Sequence, residues 1–457
     1  MIHLLKKFRE FPDFGVWPEG TLEISTDSRT VSDKNFFWCL VGAKFDAFQF
    51  AVNAASQKCP LIVYQKSEAN ELLAREIHEK FGTCLLGLSD TTVGLQQLAH
   101  LYRQELGKNG VKVIGVAGSN GKTTTKEVLR SLFTNLNLKV TATEKNNNNH
   151  IGVPLTILSA KTDDDVLVLE FGSNHPGEME VLCNVSDVDA GIITNIGDTH
   201  LEFFDTRENV LREEGEILFR MQRQSKGTII VPKEDPLLAP LIDDQLCFAV
   251  DDIKWEKHVV DFDFLNKRIS LKNDHIYGRH NFINLVLAYA LVSKLKLASD
   301  DQLIAACSKV QLPKNNRSEF IKVDQCTVFL DAYNANPSSM KAALNLFNSW
   351  CQDHSIDVDQ RAYVLGDMYE LGPKEGEFHR DIGIFVKSFG SKDVIFVGKF
   401  APDYRKGFEL GDCFSSPKEL KDRWKRLIKT KKAIFVKGSR GIKLESLLSE
   451  NENSTGH

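Results

Sequence analysis

Residues 111–133 read VKVIGVAGSNGKTTTKEVLRSLF. A run rich in Val and Ile ends at Gly118, a short turn carries a second glycine at 121, and a charged, Leu-containing pattern of helical spacing follows. β-Branched residues favour a strand, and glycine lets a backbone take conformations closed to other residues. The segment therefore predicts strand, glycine turn and helix in immediate succession. This unit can cradle phosphate, because the turn's N–H groups and the helix N-terminus both face an anion there. The candidate phosphate contacts are Gly118, Ser119, Asn120, Gly121, Lys122, Thr123 and Thr124. Lys122 is placed to reach the β- and γ-phosphates of ATP, and the Thr123 hydroxyl to hold Mg²⁺. The strict pattern has glycine two residues before Gly118, where this chain has Val116. No N-K-x-D base reader of the GTPase kind occurs.

The same alternation of apolar runs and amphipathic stretches continues through the chain, as in α/β folds. With 457 residues, the chain exceeds what one core usually serves, about 250–300 residues. Residues 1–108 form a first block with strand-like runs LEIST, NFFWCL and PLIVY and a helical pattern at 91–106. GKNG (107–110) is a candidate linker. Residues 109–313 form a second block, with VKVIGVAG, DVLVLEFG, DAGIITNIG and GTIIVP apolar on both faces, as buried parallel strands are, and a helix at 281–296. LPKNN (312–316) is a second candidate linker. Residues 314–457 repeat the alternation with TVFLDAY, RAYVLGDM, DVIFVGKF and AIFVKGSRG, and predict a small doubly wound, Rossmann-like domain. The closing ENENSTGH predicts an unstructured tail.

Composition narrows the class. Lys plus Arg number 57 and Asp plus Glu 62, a net charge of −5, unlike a chain that is basic overall and wraps nucleic acid. The most basic stretch, 418–432, places Leu420, Trp424, Leu427 and Ile428 on one helical face, so it reads as a surface helix with a solvated basic side. Nine scattered cysteines without a CxxC pair fit a reducing compartment. The apolar run 281–293 falls short of the ~20 residues a membrane span needs. The N-terminus lacks signal-peptide character. The expected location is cytoplasmic.

Several polar residues stand at the predicted C-ends of strands. Glu170 closes DVLVLE and is placed to bind Mg²⁺, directly or through water, with a helix N-cap or a turn partner as the alternative. His200 follows GIITNI. Glu214 shares a helical stripe with Val210, Ile217 and Met221 and so interrupts an apolar face; a buried carboxylate needs a partner, either a metal ion or an internal Lys or Arg. Asn281 and Asn284, beside His280 at a helix start, can read a base edge or cap the helix. Arg317 suits phosphate and Asp331 a ribose hydroxyl.

These motifs together resemble the Mur ligase family of peptidoglycan synthesis. The resemblance rests on ISTDSR (24–29), GSNGKTTTKE, NNNNHIGVPLTIL, EFGSNHPGEM, NIGDTHLE, GRHNFIN, DAYNANPSSM, VLGDMYELG and VKGSRG. YNANP, GDMxELG and KGSR look like the branch that adds D-alanyl-D-alanine, and the DNPR motif of the diamino-acid-adding branch is absent. The resemblance implies three domains: an N-terminal one binding UDP-N-acetylmuramoyl-tripeptide, a central P-loop ATPase and a Rossmann-like third. It implies ATP and Mg²⁺ as cofactors, no nucleic acid, no membrane span and a monomer. By the family pattern Lys122 and Thr123 meet phosphate and Mg²⁺, Glu170 binds one Mg²⁺ and His200 a second. Asn281 and Asn284 lie near adenine, and Arg317 and Asp331 reach the nucleotide from the third domain. Ser28 and Arg29 lie near the UDP, Asn148 and Asn149 near the muramoyl-peptide, and Asn334 and Asn336 near the incoming substrate.

Two departures stand out. The family commonly carries a carbamylated lysine in a segment like K-x-K-G-E, where this chain reads REEGE with Glu214 at the lysine position. Glu214 is expected to supply the anionic end group without CO₂ and to act as a metal ligand. In the first domain DAFQF (46–50) replaces a more usual Asp-Gly-His-like stretch, and His150 stands where an acidic residue is common.

Overall fold

The computed structural model describes residues 1–8, 11–243, 245–313 and 318–449. Arg317, most of the 312–316 linker and the ENENSTGH tail lie outside them. The chain folds as two compact units, one of Met1–Gly115, Leu138–Gly172 and Glu178–Ala190, the other of Val116–Asn137, Ser173–Gly177 and Gly191 onward. The strand Lys112–Ala117 carries the chain from the first into the second.

The first unit contains a four-stranded parallel sheet in the order Glu23–Ser25, Asn35–Trp38, Leu61–Gln65 and Cys84–Leu88. Its runs NFFW and LIVY are apolar on both faces because both are covered. Phe37, Phe48, Ile62, Tyr64 and Leu85 pack in one core. The helix Thr91–Lys108 is started by Asp90, whose carboxylate accepts the N–H groups of Thr92 and Val93, the usual cap for otherwise unpaired donors. It runs through half of the GKNG segment, so the turn falls at Asn109 and Gly110. The buried Trp38 indole donates to Thr91 O at 2.8 Å. The same unit holds the parallel strands Val140–Ala142 and Val166–Glu170.

In the second unit, the strands Ala190–Ile193, Ile229–Pro232 and Cys247–Glu256 pair in parallel. Cys247–Glu256, Val259–Phe264 and Lys267–Lys272 then form an antiparallel extension that the apolar-run pattern missed. Its residues alternate between buried and exposed, for example Val260, Phe262 and Phe264 inward with Asp261 and Asp263 between them, so no continuous apolar run exists to find. The helix predicted at 281–296 spans Arg279–Lys294 and is buried on nearly every side.

The rest of this unit is a six-stranded sheet in the order Glu319–Val323, Cys326–Asp331, Ala433–Lys437, Arg361–Gly366, Val394–Val397 and Asp412–Phe414. All neighbours are parallel except the first pair. The last strand in sequence slots between the second and third, and apolar cores cover both faces. This is the doubly wound arrangement expected. The helix Lys421–Thr430 buries Trp424, Leu427 and Ile428, with Leu420 at its cap, and turns its basic side outward. Among the described residues no disulfide joins the cysteines. Among the described residues no helix is long and apolar enough to cross a membrane.

Candidate functional site: a phosphate loop and its supports

The predicted strand–turn–helix is present. The strand Lys112–Ala117 leads into the loop, and the helix Lys122–Asn135 begins at Gly121. Gly118 has φ +117° and Gly121 φ +87°, both in the region that favours glycine. Space also excludes a side chain. A Cβ at Gly118 would lie 2.3 Å from Thr194 Oγ1, and one at Gly121 would lie 2.9 Å from Asn284 Oδ1. Thr194 and Asn195 secure the loop further. Thr194 Oγ1 donates to Asn120 O at 2.6 Å, Asn195 Nδ2 donates to the same oxygen at 2.8 Å, and Asn195 Oδ1 accepts the Asn120 N–H at 3.2 Å. Ser119 Oγ accepts the Gly197 N–H at 2.8 Å. In the sequence Thr194 and Asn195 are marked only by their place at the end of the strand-like run GIITNI and, for Asn195, at the head of NIGDTHLE.

Glu214 sits under this loop, with its side chain only 2% exposed. Its Oε2 accepts the Gly118 N–H at 2.8 Å, and its Oε1 lies 3.4 Å from Lys122 Nζ. Lys122 Nζ also donates to Gly118 O at 2.5 Å. Of the two partners open to Glu214 from sequence, the internal lysine is the one in contact here. Its neighbour Glu213 has a separate task, accepting from Ser173 Oγ and the Gly177 N–H, each at 2.8 Å.

His200 follows the loop-supporting segment with φ +50°. Its Nδ1 lies 2.6 Å from Glu370 Oε2. Asn281 and Asn284 are buried, but neither caps the helix, whose N-cap is Gly278. Asn281 Nδ2 donates to Tyr277 O at 2.9 Å, while Asn284 lies against Gly121. Asp331 meets the buried Lys437 at 2.7 Å, and Lys437 also donates to Asn334 O at 2.8 Å. Burial pushes the nearby His280 imidazole down to about 4. Asn336 caps the helix Pro337–Asp353 by accepting the Ser339 N–H, and its Nδ2 donates to Asn120 Oδ1 at 2.8 Å. Asn120 Nδ2 in turn donates to Ser338 Oγ at 3.0 Å. The second unit therefore brings Asn120, Lys122, Glu214, Asn284 and Asn336 into one network.

The first unit holds the remaining predicted residues. Glu170 is buried, with Oε1 accepting from Asn148 Nδ2 at 3.2 Å. Asn149 Oδ1 accepts the N–H groups of Ile151 and Gly152, opening the helix Gly152–Ser159. Ser28 is buried and its carbonyl accepts from Gln57 Nε2 at 3.0 Å. Arg29 folds back on Asp27 in a two-pronged pair, with Nε at 2.9 Å and Nη2 at 2.7 Å, and that pair holds the Asp27 carboxyl down to about 2.

Among the described residues no group of three or more His, Cys, Asp or Glu stands ready for a metal ion. Mg²⁺ needs none, because it keeps waters and uses one or two protein oxygens with substrate phosphates. Thr123, the first residue inside the helix after Lys122, is such a donor. The glycine cradle, whose close contacts leave no room for a Cβ, fits a nucleotide's phosphates.

A P-loop domain followed in the chain by a doubly wound sheet defines a nucleotide-dependent α/β enzyme. The sequence profile of the Mur ligase middle domain matches residues 116–292, and that of the Mur ligase glutamate ligase domain matches 316–440. The UDP-N-acetylmuramoyl-tripeptide–D-alanyl-D-alanine ligase of Bacillus subtilis is 31% identical over 447 residues, 93% of this chain and 92% of that one. The crystal structure of MurF from Acinetobacter baumannii superposes with a TM-score of 0.85 at 25% identity, covering 99% of this chain and 98% of that one. MurF from Thermotoga maritima in complex with ADP shares the fold, with a TM-score of 0.78 at 23% identity over 95% and 97% of the two chains. The chain belongs to the Mur ligase family. It is an ATP-dependent, ADP-forming ligase.

Proposed function

We propose that this ligase joins D-alanyl-D-alanine to UDP-N-acetylmuramoyl-tripeptide, giving the UDP-linked pentapeptide of peptidoglycan synthesis. The observation that carries this is likeness across nearly the whole of both chains to ligases bearing that name, together with a P-loop whose geometry fits ATP. A carboxylate is a poor acyl donor at neutral pH. One oxygen of the tripeptide carboxylate attacks the γ-phosphorus of ATP, and ADP leaves. The dipeptide's neutral amine then attacks the acyl phosphate carbon, phosphate leaves, and the amine's proton passes to solvent. No protein nucleophile is required, so positioning and charge neutralisation are what the chain must supply.

Residues 118–124 are assigned to the phosphates through Lys122 and the N–H groups at the helix start, since those of Gly118, Ser119 and Asn120 are already given to Glu214 and Asn195, with Arg317 as a second cation from the third domain. Thr123, Glu170, His200 and Glu214 are assigned as the residues that would hold Mg²⁺, which when bound would neutralise phosphate charge. Asn281 and Asn284 are assigned to the adenine and Asp331 to the ribose. Ser28, Arg29, Asn148 and Asn149 are assigned to the UDP-linked peptide, and Asn334 and Asn336 to the incoming dipeptide. The domains are drawn at 1–108, 109–313 and 314–457, a division supported by the limits of the two family profiles. A cytoplasmic monomer is the form in which the chain is taken to act.

ADP release by the purified protein tests the assignment. Turnover that requires both UDP-muramoyl-tripeptide and D-alanyl-D-alanine is expected, and Lys122→Ala abolishes it. Turnover with another amino acid in place of the dipeptide overturns the acceptor, and turnover with neither substrate overturns the ligase.

A further inference from the structure

The GDMYELG segment (366–372) has no part in the chemistry above, yet it is tied to its surroundings by several hydrogen bonds. Asp367 is buried and accepts the N–H groups of Lys399 at 2.7 Å and Phe400 at 3.0 Å. The Met368 N–H donates to His379 Nε2 at 2.9 Å, and the Tyr369 N–H donates to Ser439 Oγ at 3.0 Å. Glu370 follows with φ +63°, and Gly372 with φ +70°. A Cβ at Gly372 would lie 3.2 Å from Glu202 Cα, and the Glu202 N–H points to Glu370 O at 3.4 Å. The loop is thus built against the segment that carries His200. That segment is itself tied to the P-loop through the bond from the Gly197 N–H to Ser119 Oγ.

At the meeting point His200 Nδ1 lies 2.6 Å from Glu370 Oε2. Two bare lone pairs would repel at that distance, and Nδ1 is buried with no other hydrogen-bond partner, so the contact calls for a proton on Nδ1. In a neutral imidazole this leaves the lone pair on Nε2. Both residues adopt left-handed backbone, which costs non-glycine residues roughly 1–2 kcal/mol each, so surrounding structure must hold them there.

We propose that Glu370 is the positioning residue for His200: it fixes the proton on Nδ1, presents Nε2 outward, and ties that orientation to the seating of the 366–372 loop. The role deepens the function proposed above and rests on its assignment of His200 to the metal. Outer carboxylates of this kind set the tautomer and aim of a ligating imidazole, and their loss commonly costs about 10–100-fold in activity or metal affinity. Glu370 touches neither nucleotide nor peptide in this role, so its effect should run through His200 alone.

The test uses the metal-free full-length protein labelled with ¹⁵N-histidine, with the His200 resonances assigned by their loss in His200→Ala. Long-range ¹H–¹⁵N spectra at a pH where the ring is neutral should show the Nδ1–H tautomer. In Glu370→Ala the ring should revert to the Nε2–H form. Glu370→Gln should keep Nδ1–H, because its amide oxygen still accepts the proton. In turnover, kcat should fall by about 10-fold or more in Glu370→Ala, with KM for the dipeptide little changed and partial recovery in Glu370→Gln. An Nε2–H tautomer in the wild type, or an unchanged tautomer in Glu370→Ala, overturns the proposal. Full activity of His200→Ala overturns the metal assignment instead, and a wild type without turnover overturns the ligase. The tautomer measurement decides the Glu370–His200 link in either case.

Discussion

Replacing Glu214 by alanine should destabilise the protein and remove its metal-dependent turnover together. Glu214 Oε1 stands 3.4 Å from Lys122 Nζ, a gross attraction of ~5 kcal/mol at an effective dielectric of ~20. Desolvation offsets much of this, but deleting one member of a buried pair typically costs ~3–5 kcal/mol, because the other charge stays behind. The Gly118 N–H also loses its acceptor. With ~2–4 °C per kcal/mol for a domain of this size, the melting temperature of the nucleotide-free protein should fall by on the order of 10 °C. Glu214→Gln keeps an acceptor for Gly118 and lacks only the charge, so it should fall between wild type and Glu214→Ala. Differential scanning calorimetry in the absence of nucleotide reads this order directly. In the same preparations wild-type ADP release should be indifferent to added bicarbonate, since a glutamate needs no CO₂ to be anionic. A Glu214→Ala protein melting within about 1 °C of wild type, or glutamine proving worse than alanine, would show that the pair does not hold the loop. Full turnover in Glu214→Ala would remove Glu214 from the metal's assigned residues.

Gly118→Ala should abolish ATP-dependent turnover, because its Cβ would lie 2.3 Å from Thr194 Oγ1 at φ +117°; overpacking of ~1–3 kcal/mol should also appear as a lower melting temperature, and normal nucleotide binding would contradict the cradle. His379 should make stability depend on pH. Burial pushes its imidazole from 6.5 down to about 4, and its Nε2 can accept the Met368 N–H only when neutral. The unfolded chain therefore takes up a proton that the folded one refuses. Stability is then full above pH 6.5 and declines by up to ~3 kcal/mol between about 6.5 and 4. Urea unfolding in that window should show the slope in wild type and lose most of it in His379→Gln.

The parallel strands and the phosphate loop were legible because their causes are local. A strand buried on both faces must be apolar throughout, and a loop that packs its backbone against Thr194 and Asn284 must have glycine at 118 and 121. The antiparallel strands from Cys247 to Lys272 were not legible, since one solvated face breaks the apolar run into alternation with Asp and Lys. Glu214 was singled out correctly as a carboxylate on an apolar face, but its contact with Lys122 and Gly118 spans 92 and 96 residues. Thr194 closes a strand-like run and Asn195, Glu370 and Lys437 stand inside the motifs NIGDTHLE, GDMYELG and VKGSRG, but nothing local names their partners. A threonine, an asparagine or a glutamate at a strand end is ordinary until its partner is known.

By itself the sequence determined the parallel strands and the main helices in their order, and the chemistry on offer: glycines where the backbone must bend, a lysine and threonine at a helix start, carboxylates and a histidine at strand ends. Those follow from each residue's own conformational and solvation preferences. Tertiary structure alone decided the pairings: Glu214 under Lys122, Asp331 against Lys437, Asn336 on Asn120, and Glu370 on His200. Each joins residues far apart in the chain, where the free energy of a contact depends on burial and distance that only the folded backbone sets.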